Sequence, residues 1–567
     1  MKNNEYLKWL ESYTINPDIK EKLFLMDKNE IEEAFSKKLD FGTAGLRAKI
    51  GPGSNRMNHY VVAKTTLGFI SYLKDKYPTV YERGIVVAYD NRKFSQEFAA
   101  LVANLFAREQ IKVYIFNDMR PTPQLSFMIK ELKCCAGINI TASHNSKEYN
   151  GYKIYDSGGC QILPNETTKI ASYISDIKNE LEIDIENFEN NEDLIYFLED
   201  DSIFIEKAVD CLINKDLDFR DTPIVYTPLN GTGAAIIPKA IERAGFTHVF
   251  SVNEQMVPDS EFTTCPSPNP EEFNAFTLGI EKANQLKINY VIATDPDADR
   301  IGLCVRKTNN EFKLLSGNEL GAILLNYILD SRQKQGLLKD NSLLIDTIVT
   351  SDLGKEIARK YNLFNISVLT GFKYIGALVN EFVQTEEYQF EFGYEESLGF
   401  LTNSYVSDKD AVSTTLVIIE MINYYKKYNK ELLDVLDEIY KEFGYYQNKQ
   451  ISIILDSKTA QEKIDSIMKY FRNEDLEEIA GSEIIEFNDY EKQIRYREDE
   501  EIKIMLPQEN AVKILLKDKG WIAIRPSGTE PKLKFYISAL SDSQAAVKAR
   551  IKEMQKYIND TLEELFT

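Results

Sequence analysis

The chain has 567 residues, with 67 Lys and Arg against 89 Asp and Glu, for a formal net charge of −22; that balance argues against a nucleic-acid partner, because phosphate backbones need basic surface. Hydrophobic content of 43% is ordinary for a globular protein, the apolar runs are far shorter than a bilayer span, and Met1-Lys2-Asn3-Asn4-Glu5 lacks a signal-peptide pattern, so no membrane partner is expected. Six cysteines without a Cys-x-x-Cys, and only three histidines, suggest neither a disulfide framework nor a Cys/His metal set, so reduced thiols and a cytoplasmic location are expected.

The length suggests about three to four domains. An amphipathic start (Tyr6, Trp9, Leu10) predicts a packed helix without chemistry of its own. Three apolar runs lead into an aspartate: Gly84 to Asp90, Asn289 to Asp295, and Ser342 to Asp346-Thr347. Each is followed by a polar turn and a helix-like stretch, which predicts three related α/β units with buried strands. These are expected over 1–205, 206–315 and 316–446, with a last α+β unit over 447–567.

In the first unit, the run Ala136 to Ile140 reads as a buried strand. It delivers Thr141-Ala142-Ser143-His144-Asn145 into a polar loop that runs on to Asn150-Gly151-Tyr152-Lys153. Loops at carboxyl strand ends are where ligands sit in α/β folds, so Ser143, His144 and Lys153 are candidate reactive groups; a simple turn is the other reading. An acidic stretch from Glu180 to Asp201 then precedes the helical pattern Ile205, Ala208, Val209, Leu212.

In the second unit, the strand Pro223 to Thr227 leads into Leu229-Asn230-Gly231-Thr232-Gly233. This glycine-rich turn could face a ligand, though a plain strand-to-helix turn is the favoured reading, and it is not a dinucleotide fingerprint. Further on, Tyr290-Val291-Ile292-Ala293 leads into Asp295-Pro296-Asp297-Ala298-Asp299-Arg300. Three alternating carboxylates cannot share a dry core unpaired. At a strand end they can converge on a hard cation, and Mg2+ takes few protein carboxylates plus water or phosphate oxygen. Arg300 closes the set with a counter-charge.

The third unit holds Thr370-Gly371-Phe372-Lys373, Gly393-Tyr394-Glu395-Glu396-Ser397-Leu398-Gly399 and Ser407-Asp408-Lys409-Asp410. Carboxylates and a hydroxyl between glycines suit sugar hydroxyls. Lys373 and Lys409 read either as phosphate contacts or as surface. The last unit opens with alternating residues (Ile451, Ile453) and contains an acidic 474–504 segment. Between the strands Trp521 to Ile524 and Leu533 to Tyr536 lies Arg525-Pro526-Ser527-Gly528-Thr529-Glu530-Pro531-Lys532. A guanidinium fork, two hydroxyls and turn amides can cradle a phosphate; an ordinary Pro-Gly turn is the alternative.

In this order the Ser143, Asp295, Glu395 and Arg525 segments resemble the α-D-phosphohexomutase superfamily. Asp40-Phe41-Gly42-Thr43-Ala44-Gly45-Leu46-Arg47 is similar to its N-terminal signature, and Ser267-Pro268-Asn269-Pro270-Glu271 to a stretch near its cleft. Pro296, Ala298 and Tyr394 look most like the long branch of phosphoglucomutases and phosphopentomutases. Ser146 stands where many members have Pro.

The resemblance implies three related α/β (mixed-sheet) domains around a cleft, plus a C-terminal α+β domain. It implies that Ser143 carries a phosphoryl group and that Mg2+ is held by Asp295, Asp297, Asp299 and a phosphoserine oxygen. Arg300 would lie beside the phosphoryl group, with Arg47 and Lys153 managing protons and His144 as the active-loop histidine. Thr370, Gly371, Lys373, Glu395, Ser397 and Lys409 would contact the phosphosugar, and Arg525, Ser527, Gly528 and Thr529 its non-reacting phosphate. The implied activity is that of an isomerase converting α-D-glucose 1-phosphate to glucose 6-phosphate through glucose 1,6-bisphosphate, which is both intermediate and activator. A phosphopentomutase is the close alternative and a phosphomannomutase a further one. The partner implied is a small-molecule phosphosugar, with no obligate protein partner.

Two other classes fit less. A serine hydrolase would lack a Gly-x-Ser-x-Gly elbow, and a non-catalytic sugar-phosphate sensor would not need the full aspartate set. For proton transfer, Lys153 is a candidate if a cation such as Arg47 depresses its proton affinity. His144 is adjacent to Ser143, and neighbours in an extended loop point apart, so it reads as an orienting or phosphate-contacting group. A closable cleft is expected, because closure keeps water from the phosphoserine, with the C-terminal phosphate loop as its latch.

Overall fold

The structure, a computed structural model, describes residues 4–42, 45–186, 192–455, 459–473, 476–498, 500–526 and 532–566. The chain divides into two compact units: Met1–Ser316 with Ile375–Phe390 and Ser397–Tyr428, and Gly317–Tyr374 with Glu391–Glu396 and Asn429–Thr567.

The first unit contains two mixed sheets. One has the strand order Leu46–Lys49, Tyr149–Tyr155, Ala136–Ile140, Ile85–Tyr89, Val113–Phe116, Ile195–Leu198. Its last four strands run parallel, and the two at the other edge pair antiparallel. The apolar runs Ile85–Tyr89 and Ala136–Ile140 are buried along their whole length, as expected for strands covered on both faces. The second sheet has the order Phe312–Leu314, Ile301–Arg306, Tyr290–Thr294, Ile224–Thr227, Val249–Ser251. The amphipathic start forms the helix Asn4–Glu11, whose Trp9 is fully buried edge-on to Phe35 and Tyr60.

One local expectation is corrected. The run ending at Asp295 is not followed by a helix. Ile301–Arg306 returns antiparallel to Tyr290–Thr294, and Phe312–Leu314 extends the sheet before the helix Gly317–Lys334 begins. The reason is that Ile301–Val305 is apolar on both sides and buried throughout, which suits a covered strand and not an amphipathic helix. The acidic Glu180 to Asp201 stretch also contributes a strand. Ile195–Leu198 pairs parallel with Val113–Phe116, its four residues β-branched, aromatic or aliphatic.

In the second unit, Phe364–Val368 pairs parallel with Ser342–Thr347, and residues 391–395 lie on the other side of Ser342–Thr347. The C-terminal sheet is antiparallel. Its order is Tyr445–Ile454, Lys532–Ser541, Trp521–Pro526, Val512–Leu516, Ser482–Asp489, Ile494–Arg497, Glu500–Lys503. The helices Ala460–Phe471 and Gln544–Phe566 cover one face, burying Ile464, Phe471, Ile551, Met554 and Ile558 against Leu533, Phe535 and Ile537. The acidic segment thus supplies the strands Ser482–Asp489, Ile494–Arg497 and Glu500–Lys503 at one end of this sheet.

Candidate active site and metal centre

Two hairpin tips build the centre of the site. The strand Ala136–Ile140 turns back as Tyr149–Tyr155, with Asn139 opposite Lys153, so Ser143 sits in the connection and Lys153 on its return strand. Leu46–Lys49 pairs with that return strand, Arg47 opposite Gly151. The strand Tyr290–Thr294 turns back as Ile301–Arg306, so Asp295 to Arg300 is the second tip. Each tip contains a residue in the left-handed region, Ser143 at φ 53° and Ala298 at φ 49°. Such a conformation costs roughly 1–2 kcal/mol for a residue with a Cβ.

Ser143 is 3% exposed. Its Oγ donates to Asp295 Oδ2 at 2.7 Å and lies 3.2 Å from His144 Nδ1. His144 therefore does not point away from Ser143 as an extended loop would require. The positive φ at Ser143 turns the chain and brings both side chains to one side. Burial, followed by the Arg300 and Arg47 guanidiniums, holds the His144 pKa well below its ordinary value, so the imidazole is neutral. Arg47 reaches the same loop, its Nη1 donating to Asn145 Oδ1 at 3.2 Å.

Asp295, Asp297 and Asp299 are buried, and one carboxylate oxygen from each lies within 4.8 Å of the others. Asp295 Oδ1 accepts the amides of Asp299 and Arg300 at 3.1 and 3.0 Å. Asp297 Oδ2 accepts Thr122 Oγ1 at 3.0 Å and Lys153 Nζ at 2.8 Å. Asp297 Oδ1 and Asp299 Oδ1 are buried without a hydrogen-bond partner. Burial, with the charges of Asp297 and Asp299, pushes Asp295 well above the usual carboxylate range. Burial and Asp297 also raise Asp299. Burial opposes ionisation of Asp297 too, but the Lys153 ammonium and its hydrogen bonds outweigh it and keep Asp297 low. Three acidic groups crowded in a dry space, with orphaned oxygens, fit a hard divalent cation.

The cations are arranged around this cluster. Lys153 Nζ lies 3.8 Å from Asp299, in addition to its contact with Asp297. The neighbours that bind Lys153 are these carboxylates; the Arg47 side chain is held elsewhere, by Asn145. Lys409, read as phosphate contact or surface, pairs with Asp299 at 3.1 Å and Asp408 at 3.4 Å. Arg300 closes the loop as expected, at 4.0 Å from Asp299, and also pairs with Glu271 at 2.5 Å. Ser397 is half-buried at the start of the turn whose Leu398 carbonyl accepts the Ile301 amide at 3.1 Å.

In the second unit, Glu395 is 5% exposed and its Oε1 accepts the Gly371 amide at 2.9 Å. The Thr370–Gly371 turn and the Glu395 strand end therefore meet, beside a buried Thr370 hydroxyl without a partner. Lys373 is half-buried with its Nζ 5.4 Å from the Tyr374 ring. Arg525 is held by an ion pair with Glu509. Ser527, Gly528 and Thr529 lie outside the described residues, as do Thr43 and Ala44 of the N-terminal signature.

Asn139 and Thr122 shape the site and were not singled out from sequence, whereas Glu271, Gly231 and Thr232 lie in stretches that were noted without these contacts. Asn139 Nδ2 donates to Thr122 Oγ1 at 2.8 Å, making a chain from the first sheet to Asp297. Glu271 orients Arg300. Gly231 and Thr232 prop the Asp295–Arg300 loop: both the amide and Oγ1 of Thr232 donate to the Pro296 carbonyl, at 2.8 and 2.9 Å. The glycines of that turn were visible, but the surface they approach was not.

Four family models match the chain in order. They are phosphoglucomutase/phosphomannomutase α/β/α domain I over residues 38–181, domain II over 203–309, domain III over 316–443, and the C-terminal domain over 473–554. A phosphoglucomutase of Staphylococcus haemolyticus (strain JCSC1435) is 40% identical over 521 residues, covering 90% of this chain and 92% of that protein. A phosphoglucomutase of Staphylococcus aureus (strain MSSA476) is 38% identical over 529 residues, covering 91% and 93%. The fold is shared with a phosphoglucomutase/phosphomannomutase family protein from Burkholderia thailandensis, at TM-score 0.67 and 16% identity over 93% of this chain and 98% of the other.

Proposed function

The chain belongs to the phosphoglucomutase/phosphomannomutase family, and we propose that it interconverts α-D-glucose 1-phosphate and glucose 6-phosphate through a phosphoserine at Ser143. It is a phosphosugar mutase, an isomerase, and its substrate is a small phosphosugar. The observation that carries the proposal is the convergence of Ser143 Oγ on Asp295 within a buried cluster of three carboxylates.

Ser143 donates its phosphoryl group to one sugar oxygen, giving glucose 1,6-bisphosphate, and then recovers a phosphoryl group from the other. Free glucose 1,6-bisphosphate activates the enzyme by charging an empty Ser143. Such transfers depend on positioning and charge stabilisation. Asp295, Asp297, Asp299 and an oxygen on Ser143 would hold Mg2+, and the orphaned oxygens of Asp297 and Asp299 support that set. When bound, Mg2+ stabilises charge on the transferring phosphoryl group.

Arg300 lies beside that group and offsets its charge. Lys153 and Arg47 handle the proton of the sugar hydroxyl. His144, neutral and next to Ser143 Oγ, orients the serine. Thr370, Gly371, Lys373, Glu395, Ser397 and Lys409 contact the sugar and its phosphate, and Arg525, Ser527, Gly528 and Thr529 hold the non-reacting phosphate. The domains we assign are 1–205, 206–315, 316–446 and 447–567. Six buried cysteines, all free thiols, support a cytoplasmic setting. Among the described residues, no helix is long and apolar enough to cross a membrane.

The test is mutase activity with Mg2+ and catalytic glucose 1,6-bisphosphate, on α-glucose 1-phosphate and α-ribose 1-phosphate, for wild type and Ser143→Ala. A higher kcat/KM on glucose 1-phosphate, lost in the variant, supports the proposal. A higher kcat/KM on ribose 1-phosphate assigns the same machinery to a pentose, and activity on neither rejects it.

A further inference from the structure

Arg92 belongs to none of the motifs above, yet its guanidinium gathers the backbone of the serine loop. It follows Asp90, which ends one of the central strands of the first sheet, and it is 3% exposed. Its Nη2 donates to the carbonyls of Ser143, at 2.6 Å, and Asn145. Its Nη1 donates to the carbonyls of Ser146 at 2.8 Å and Tyr149 at 3.0 Å. Its Nε lies 3.2 Å from Asp90 Oδ2, and Asp90 Oδ1 is held by the Arg92 amide at 3.0 Å and Ser95 Oγ at 2.7 Å. The guanidinium carbon lies 5.2 Å from the centre of the buried Phe262 ring.

We propose that Arg92 is a positioning residue for phosphoryl transfer, fixing Ser143 in the conformation that aims its Oγ at Asp295. The inference rests on Ser143 being the phosphoryl carrier. Its physical basis is that a left-handed serine persists only where its surroundings over-determine it. A loop that has Ser at position 146 lacks the fixed φ that a proline would supply there. The planar guanidinium supplies the constraint instead, since its two terminal nitrogens can satisfy four carbonyls at set angles. An ammonium is a single point with three donors and cannot span them. Asp90 anchors the guanidinium to the sheet, so the loop inherits the sheet's rigidity.

The experiment uses full-length wild type, Arg92→Lys, and Arg92→Lys with Ser146→Pro. Lysine keeps the charge opposite Asp90 and removes the four-carbonyl geometry. Mutase kinetics on glucose 1-phosphate, charging of Ser143 by glucose 1,6-bisphosphate followed by intact mass, and melting temperature are measured for each.

The expected result for Arg92→Lys is a kcat lower by about 100-fold, the order that a misplacement of about 1 Å costs, with KM within about threefold of wild type and slower charging of Ser143. Adding Ser146→Pro should recover at least about tenfold in kcat by restraining the loop another way. A kcat within about threefold of wild type, or a loss confined to KM, overturns the inference. So does a fall in kcat that accompanies a melting temperature lowered by more than about 8 °C and is not reversed by Ser146→Pro. If wild type itself neither turns over glucose 1-phosphate nor charges Ser143, it is the phosphoserine reading that fails.

Discussion

Thr122 and Asp297, 175 residues apart, are joined twice: the Thr122 hydroxyl donates to Asp297 Oδ2 at 3.0 Å and its amide to the Asp297 carbonyl at 2.9 Å. Asn139 holds the threonine oxygen from the other side. The threonine thus occupies one oxygen of the carboxylate and leaves Oδ1 buried without a hydrogen-bond partner. Thr122→Val keeps the shape and removes the hydroxyl. Mg2+ affinity should fall about 10- to 100-fold, as when outer partners of metal ligands are lost. Calorimetric titration with Mg2+ checks this, and an unchanged Kd would reject the orienting role.

Gly231 meets the back of the metal loop. A Cβ there would lie 2.4 Å from Pro296 Cα and 2.6 Å from its carbonyl oxygen. Neither backbone atom can yield without moving Asp295 or Asp297. Gly231→Ala should therefore cost about 1–3 kcal/mol in stability, the usual price of overpacking, and weaken Mg2+ binding at the same time. Urea midpoints read the first effect and metal titration the second. A destabilised variant with wild-type metal affinity would show that the turn supports the fold without shaping the site.

Arg525 should act at a distance from the transferring phosphoryl group. If it holds the non-reacting phosphate and draws its domain down on the substrate, Arg525→Ala should raise KM and lower kcat together. A drop in kcat/KM of about 100-fold or more is expected for losing a charge-assisted phosphate contact. Steady-state kinetics on glucose 1-phosphate decide it. An unchanged kcat/KM would sink the latch.

Asp352 makes part of the stability of the second unit depend on pH. Its Oδ1 pairs with Lys355 at 2.8 Å, and its Oδ2 accepts Trp521 Nε1 at 2.8 Å. Burial would raise its pKa, but the Lys513 and Lys355 ammoniums outweigh burial and bring it down to about 2, from an ordinary 3.8. A carboxylate depressed in the folded state stabilises fully above its unfolded pKa. That contribution is lost as pH falls through the folded value. Asp352 should therefore supply about 2 kcal/mol at neutral pH, fading between about pH 4 and pH 2. The stability difference between wild type and Asp352→Asn, followed by Trp fluorescence in urea, should shrink across that window. A constant difference would contradict the assignment.

Much of the site was legible locally. Ala136–Ile140 and Tyr290–Thr294 are apolar enough to be buried strands, and each run ends abruptly in polar residues. That contrast places Ser143 and Asp295 at strand ends whatever the rest of the chain does. Only the direction of the His144 side chain differs from expectation, because extended backbone would turn it away from Ser143, whereas Ser143 takes a positive φ. The strand Ile195–Leu198 was hidden by the acidic residues around it, since only its pairing with Val113–Phe116 gives those residues a sheet to join.

Residue type and order were sufficient to single out the serine and the three aspartates as candidates, because hydrogen-bonding capacity, charge and apolar periodicity are properties of short segments; the family entered through the resemblance of four segments in order. The reach of Thr122 to Asp297, of Lys409 to Asp299 and of Arg92 to four loop carbonyls comes from sheet order and hairpin return. Those contacts join segments that no local pattern connects. A side chain's partner is set by where the backbone carries it, and burial in a low-dielectric interior then determines how strongly the pair is held.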